Sequence, residues 1–324
     1  MTQHDAGGSR PALRADRLGR RYGRVWGLRD CTFELPAGAV AALVGPNGAG
    51  KTTLMEMIVG LLEPTDGQVS VFGETSRAGA AQTLARVGYV AQDHPLYRDF
   101  TVADMFRLGQ AMNPSWDQKL AAARIEALGI PLTRKIKKLS GGQQAQVSLT
   151  MALAKRAPLL VLDEPVSSLD PVARLEFMRD VMASAAEANL TFLISSHVVS
   201  ELERICDWLI ILAGGHVQLA GSADDLLEAH QLLTVPRDTQ DAELPGTVIH
   251  RTDSDSPSYR HSVVLVRADV GQVAQRSRPG WQADPLTYEQ LVLGYLQRQG
   301  TAATRNDPAT VAQRPAPSTR EFTR

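Results

Sequence analysis

The stretch that most constrains this chain is Gly45-Pro46-Asn47-Gly48-Ala49-Gly50-Lys51-Thr52, which fits the pattern G-x-x-x-x-G-K-[ST] in full. A short apolar run, Val40–Val44, precedes it. Lys51–Leu62 follows, with Leu54, Met57, Ile58 and Leu61 at helical spacing on one face. The local reading is therefore a buried strand, a glycine turn and a helix. Glycines let the backbone turn so that successive N–H groups point inward at phosphate oxygens. A helix starting at Lys51 adds the positive end of its dipole. The pattern predicts that Lys51 reaches the β- and γ-phosphates and that the Thr52 hydroxyl is a ligand of Mg²⁺. Alone, the loop specifies a nucleoside triphosphate and nothing narrower.

From about Leu13 to Ala220 short apolar strands alternate with helical patterns, the signature of an α/β domain. Leu159–Leu162 and Leu190–Ile194 are continuous apolar runs, as expected of central parallel strands covered on both faces. The segment from about Pro95 to Lys138 is helix-forming, with Ala121, Ile125 and Leu128 as an apolar stripe, and reads as a helical insertion spanning about residues 95–150. Trp208–Leu212, Gly214-Gly215 and Val217–Ala220 predict a hairpin, followed by a helix over Ala223–His230. Residues 232–299 read as a small α+β accessory module, with strands at Thr247–His250 and Ser262–Val266 and a helix at Tyr288–Gln297. The expected organisation is a flexible stretch over 1–12, a main domain over 13–231, the module over 232–299, and a disordered tail over 300–324, rich in Ala, Thr, Pro and Arg.

Charge and composition exclude some functions. A formal charge of -1 gives no basic excess for gripping nucleic acid, and no nucleic-acid partner is expected. No apolar run approaches the roughly 20 residues that cross a bilayer, and Met1–Arg20 lacks the apolar region of a signal peptide. The two cysteines, Cys31 and Cys206, read as reduced packing thiols. A cytoplasmic chain is expected, with any membrane role exercised through a partner.

Further motifs narrow the reading. Leu139-Ser140-Gly141-Gly142-Gln143 lies between the glycine loop and the acidic strand end Leu159-Leu160-Val161-Leu162-Asp163-Glu164-Pro165. Ser167-Ser168-Leu169-Asp170 follows, and His197 ends the next apolar run. Gln92 falls between loop and signature, and Tyr22 about two dozen residues before the loop. In this order the motifs resemble those of ATP-binding cassette (ABC) ATPases over roughly Leu13–Leu227. The resemblance implies a P-loop cassette fold, ATP and Mg²⁺ as ligands, and the following roles. Gly45, Pro46, Asn47, Gly48, Ala49, Gly50, Lys51, Thr52 and Thr53 hold phosphates, and Tyr22 stacks on adenine, with Trp26 an alternative platform. Thr52, Gln92 and Asp163 serve the metal. Glu164 is the general base, with His197 and Gln92 at the γ-phosphate. Ser140 and the amides of Gly141 and Gly142 complete the ATP site of an opposite subunit, so a second cassette, identical or not, is required, and Asp170 is a nucleotide-binding residue of the D-loop.

Asp170 before Pro171 is also a good N-cap and N1 pair, a role compatible with the other. One departure stands out: basic residues usually follow the signature in this family, whereas Gln144, Ala145 and Gln146 occur here. The run Arg134-Lys135-Ile136-Lys137-Lys138 is either a solvated face or a substitute source of positive potential. A single cassette without sustained heptads favours transport over ribosome- or DNA-directed relatives. Integral-membrane permease subunits are then the partners, docking near Pro95, Leu96 and Tyr97, and the chain would sit peripherally on the inner face of the membrane. The small C-terminal module and the short stretch between Gln92 and the signature favour an exporter, with an importer as the alternative.

Overall fold

The computed structural model describes residues 10–298, apart from 168, 255–259 and 277. Strands β1 (Leu13–Tyr22) and β2 (Val25–Leu35) lead to β3 (Val40–Val44) and helix α1 (Lys51–Ile58). Next come β4 (Asp66–Val71), β5 (Glu74–Thr75), α2 (Ala81–Arg86) and β6 (Val87–Val90). The helices α3 (Val102–Met112), α4 (Gln118–Ala127) and α5 (Gly141–Ala154) precede β7 (Leu159–Leu162). Then follow α6 (Pro171–Ala188), β8 (Thr191–Ser196), α7 (Val199–Leu202), β9 (Trp208–Ala213), β10 (His216–Ser222) and α8 (Ala223–Glu228).

The central sheet has the order β10-β9-β3-β8-β7-β6, with every neighbouring pair parallel except the β9–β10 hairpin. Its strands read as unbroken apolar runs because both faces are covered. Ala42, Val44, Leu160 and Leu162 face one core, against α5 and α6, whereas Ala41, Leu43, Leu159 and Val161 face another, against α1 and an antiparallel sheet of order β2-β1-β4-β5. Ala12 is fully buried and its carbonyl accepts the Phe72 N–H at 2.9 Å. Ala12 is thus held against Phe72 just before β1 begins, and most of the stretch expected to be flexible, residues 1–9, lies outside the described residues.

Helix α1 stops four residues earlier than its apolar spacing suggested. Gly60 takes a left-handed conformation (φ 73°), which ends the helix and leaves Leu61 60% exposed rather than on the buried face. The helical insertion has its own core of Val102, Met105, Phe106, Ala121, Ile125 and Ile136, closed by Val147 and Ala154 of α5. A capping box at Thr101–Asp104 starts α3, and Asp117 caps α4. Of the basic run, Arg134, Lys135, Lys137 and Lys138 are exposed while Ile136 is buried, and Lys137 pairs with Asp99 at 2.6 Å. That is a solvated face.

After α8 the chain forms β11 (Gln231–Pro236), β12 (Thr247–Asp253), β13 (His261–Arg267), α9 (Val270–Arg276), β14 (Gln282–Asp284) and α10 (Tyr288–Gln297). The strands make an antiparallel sheet of order β12-β13-β11-β14. Helix α10 has the bounds its periodicity predicted, but β11 and β14 were not anticipated. Tyr288, Leu291, Val292 and Tyr295 of α10 join the same core as Leu202, Leu209 and Leu226, so the module is fused to the main body rather than appended. The fusion includes His230: its Nδ1 lies 2.6 Å from the Leu226 carbonyl and its Nε2 2.8 Å from the Tyr295 hydroxyl. A carbonyl only accepts, so Nδ1 carries the proton and Tyr295 donates to Nε2. Burial pushes the pKa of this histidine down to about 4. The expected disordered tail over 300–324 lies outside the described residues.

Candidate nucleotide site

Four consecutive parallel strands end at one edge, and the polar side chains just beyond them converge there. Gly50, the residue before α1, sits at φ 105° and N-caps the helix without a side chain. This left-handed turn suits glycine and brings the loop's amides round to the first turn of α1. Lys51 is 7% exposed; its Nζ donates to the Gly45 carbonyl at 2.8 Å and lies 3.5 Å from Glu164 Oε1. A buried ammonium needs such partners, since desolvation without them is costly.

Asp163 follows the four apolar residues of β7 and is 1% exposed. Both of its carboxylate oxygens are satisfied: Thr52 Oγ1 donates to Oδ2 at 2.8 Å and Ser195 Oγ to Oδ1 at 2.6 Å. Ser195 also accepts the Glu164 N–H at 2.7 Å. Glu164 adopts a positive φ of 43°, an uncommon conformation for a residue with a side chain. Ser195, the penultimate residue of β8, therefore holds both acidic residues at once. Beside them, His197 Nδ1 lies 3.1 Å from Glu164 Oε2. In β6, burial first and the Asp163 carboxylate second push the Tyr89 pKa up.

Of the residues singled out from sequence, Lys51, Thr52, Asp163, Glu164 and His197 thus meet directly. Tyr22 is half-exposed, and its hydroxyl lies 3.4 Å from Thr53 Oγ1, which puts the ring at the first turn of α1. Trp26 instead lies under the guanidinium groups of Arg21 and Arg29, 5.6 and 5.8 Å from its ring centre. Gln92 is exposed, two residues beyond Val90, whose carbonyl accepts the Asp163 N–H at 2.9 Å. No side-chain contact joins it to Thr52 or Asp163 among the described residues. Ser140, Gly141 and Gly142 form a separate surface at the start of α5. There Ser140 Oγ accepts the Gln143 N–H and Gln143 Oε1 accepts the Ser140 N–H, a reciprocal cap. Asp170 caps α6 through the N–H groups of Val172 and Ala173, both at 3.0 Å. Ser168, between Ser167 and Leu169, lies outside the described residues.

Sequence reasoning missed Ser195 and His94. The serine was readable in principle as a hydroxyl directly after the apolar run of β8, two residues before His197. His94, 7% exposed after the turn at Gln92, carries no periodic signal; burial holds its pKa below the ordinary histidine value.

A parallel sheet whose glycine loop, acidic strand end and helix N-terminus converge in this way defines a P-loop NTPase of mixed α/β architecture. The ABC transporter family model matches residues 28–167. The Fe(3+) ions import ATP-binding protein FbpC of Pseudomonas fluorescens is 35% identical over 274 residues, 82% of this chain and 74% of that protein. The Nod factor export ATP-binding protein I of Burkholderia orbicola is also 35% identical, over 65% of this chain and 70% of its own. A solved ATP binding subunit of an ABC transporter superposes with a TM-score of 0.60 at 28% identity, covering 66% of this chain and 91% of that one. The chain belongs to the ATP-binding subunits of ABC transporters, and it is an ATP hydrolase coupled to transport. Among the described residues no helix is long and apolar enough to cross a membrane.

Proposed function

We propose that this chain binds Mg·ATP in the Gly45–Thr53 loop and hydrolyses it to drive export through separate integral-membrane subunits. The observation that carries the ATPase part is the shared grip of Thr52 and Ser195 on Asp163. Two hard oxygen donors, Thr52 Oγ1 and Asp163 Oδ2, face each other at 2.8 Å, a donor set suited to Mg²⁺. Gln92, exposed two residues beyond Val90, is the third residue offered to the ion in this reading. The ion would supply charge neutralisation at the phosphates.

The loop amides and Lys51 take the phosphate charge, and Lys51 exchanges its loop carbonyl for phosphate oxygens. Glu164, aimed by its amide's bond to Ser195 and flanked by His197, accepts the proton of the attacking water. Tyr22 is the adenine platform in this reading, supported by its contact with Thr53. Ser140, Gly141, Gly142 and Asp170 serve the ATP of a second cassette, and this is supported by their separation from the Lys51 cluster within one chain. Alternation between joined and separated cassettes would move the membrane subunits from a position on the inner face. The residues of this scheme all lie in the main body over 13–231, to which the module over 232–299 is joined.

Export is supported by the Nod factor export relative, 35% identical over 65% of this chain. One observation favours import as a second reading: the 274-residue match to the Fe(3+) import protein runs past the cassette into that module. Affinity purification of the full chain from its native membranes separates the two. A permease without an extracytoplasmic solute-binding protein is the expected companion, and a stoichiometric binding protein overturns export.

A further inference from the structure

No basic residue follows Gln143 until Lys155, yet a guanidinium occupies the neighbourhood of Gln146. It arrives from another helix. Arg124 of α4 sends Nη2 to Asp180 Oδ2 of α6 at 2.9 Å and to Gln146 Oε1 of α5 at 3.2 Å. Its Nε lies 3.4 Å from Thr150 Oγ1, also on α5. Thr150 spends its own proton on the Gln146 carbonyl at 2.7 Å, so its oxygen is left to accept. The Arg124 side chain is only 19% exposed and Asp180 32%, which makes this a partly desolvated, hydrogen-bonded pair rather than a surface contact.

The three helices joined here belong to different working parts. Helix α5 begins at the signature, α6 begins at Asp170, and α4 lies in the helical insertion. At their N-terminal ends α5 and α6 already touch: a Cβ on Gly142 would lie 3.5 Å from that of Ala173 and 3.8 Å from Leu169. Asp180 sits nine residues along α6, about 14 Å from its start. Leu149 and Leu153 of α5 share an apolar core with Phe177 and Val181 of α6, and Arg124 adds a directional, charged attachment between the two helices at this distance from their start. Apolar packing is non-directional, whereas the guanidinium's hydrogen bonds fix which side chains face each other. The other end of α4 is anchored as well, by Asp117 to the guanidinium of Arg156 at 2.6 and 3.0 Å.

We propose that Arg124 is a positioning residue that locks the signature helix and the Asp170 helix into one body, replacing from α4 the charge that α5 lacks. The surfaces formed by Ser140–Gly142 and Asp170 then approach a second cassette together. This inference rests on the reading that those residues complete the partner's ATP site. Among the described residues no hydrogen bond or ion pair joins the Lys51 loop to Arg124, Gln146, Thr150 or Asp180, so ATP binding by one chain is expected not to depend on the network.

The test uses the full chain with Glu164→Gln to hold ATP, and size-exclusion chromatography against protein concentration to read ATP-dependent pairing. Arg124→Ala is expected to weaken that pairing about tenfold and, with Glu164 intact, to lower kcat about tenfold. Equilibrium ATP binding by the monomer should stay within twofold. In the Arg124→Ala background, Gln146→Arg returns a guanidinium to α5 facing the same Asp180, and it is expected to recover pairing to within threefold. Equal pairing and kcat with and without Arg124 overturn the inference alone. So does a loss that extends equally to monomer ATP binding, or one that Gln146→Arg leaves untouched while thermal stability is restored. A Glu164→Gln chain that stays monomeric in ATP overturns the composite-site reading, and this inference with it.

Discussion

Two buried polar clusters share this molecule's core, and they are built on opposite rules. At the strand ends, Lys51, Asp163 and Glu164 bring formal charges into a site where Asp163 is 1% exposed. In the seam under the C-terminal module, His230 is equally buried but neutral, and its two ring nitrogens bond a carbonyl and a phenol. Neutral groups with both hydrogen bonds made are a modest cost to a core. Charges are expensive there and persist only with close partners. A cluster that keeps three of them beside an open loop is organised for a charged ligand, whereas the His230–Tyr295 pair only fastens a helix. The first should be sensitive in turnover and the second in stability.

The sharpest way to break that contrast is Glu164→Gln, expected to reduce phosphate release about a thousandfold while equilibrium ATP binding is retained. Near-normal turnover in this variant would remove the charged cluster's central member from the chemistry.

The next largest effect concerns pH. With a folded pKa of about 4 against 6.5 for an unperturbed histidine, His230 remains neutral in the fold while the unfolded chain takes up a proton between those values. Its contribution is complete above about pH 6.5, is lost as pH falls towards 4, and changes no further below. The loss amounts to about 3 kcal/mol. Urea unfolding midpoints across that range should show it, and His230→Gln should flatten the slope by one proton; an unchanged slope would contradict a neutral seam.

Ser195→Ala is a smaller perturbation with a mixed signature. Loss of the shared hydroxyl should cost about 1–2 kcal/mol of stability and lower kcat roughly tenfold, since one Asp163 oxygen and the Glu164 amide lose their partner together. Steady-state hydrolysis alongside thermal melts would check both. Smallest is Tyr295→Phe, expected to cost about 1 kcal/mol by leaving His230 Nε2 without its donor, with ATP turnover unchanged. A turnover loss there would mean that the seam is not merely structural.

The charged cluster was far more legible than the neutral one. Lys51 and Thr52 sit in a contiguous pattern, and Asp163 and Glu164 end an unbroken apolar strand, so each announces itself within a few residues. His230 closes a short helix whose predicted end was two residues too late, and nothing local pairs it with Tyr295, 65 positions away. Ser195 was overlooked beside His197 because a hydroxyl at a strand end has many ordinary uses. The departure at Gln144–Gln146 was visible, but the basic residue that answers it was sought in Arg134–Lys138, its nearest basic neighbours in sequence, rather than on α4.

The sequence by itself determined the chemistry of the phosphate site and the parallel sheet that carries it. Both follow from short-range physics: glycine geometry, the dipole of one helix, and apolar strands covered on both faces. Only the tertiary structure decided which residues hold that site in place and how the C-terminal module is fused. Arg124 meets Asp180 across 56 positions and Ser195 meets Asp163 across 32. Such encounters depend on how layers pack, and no local periodicity encodes them.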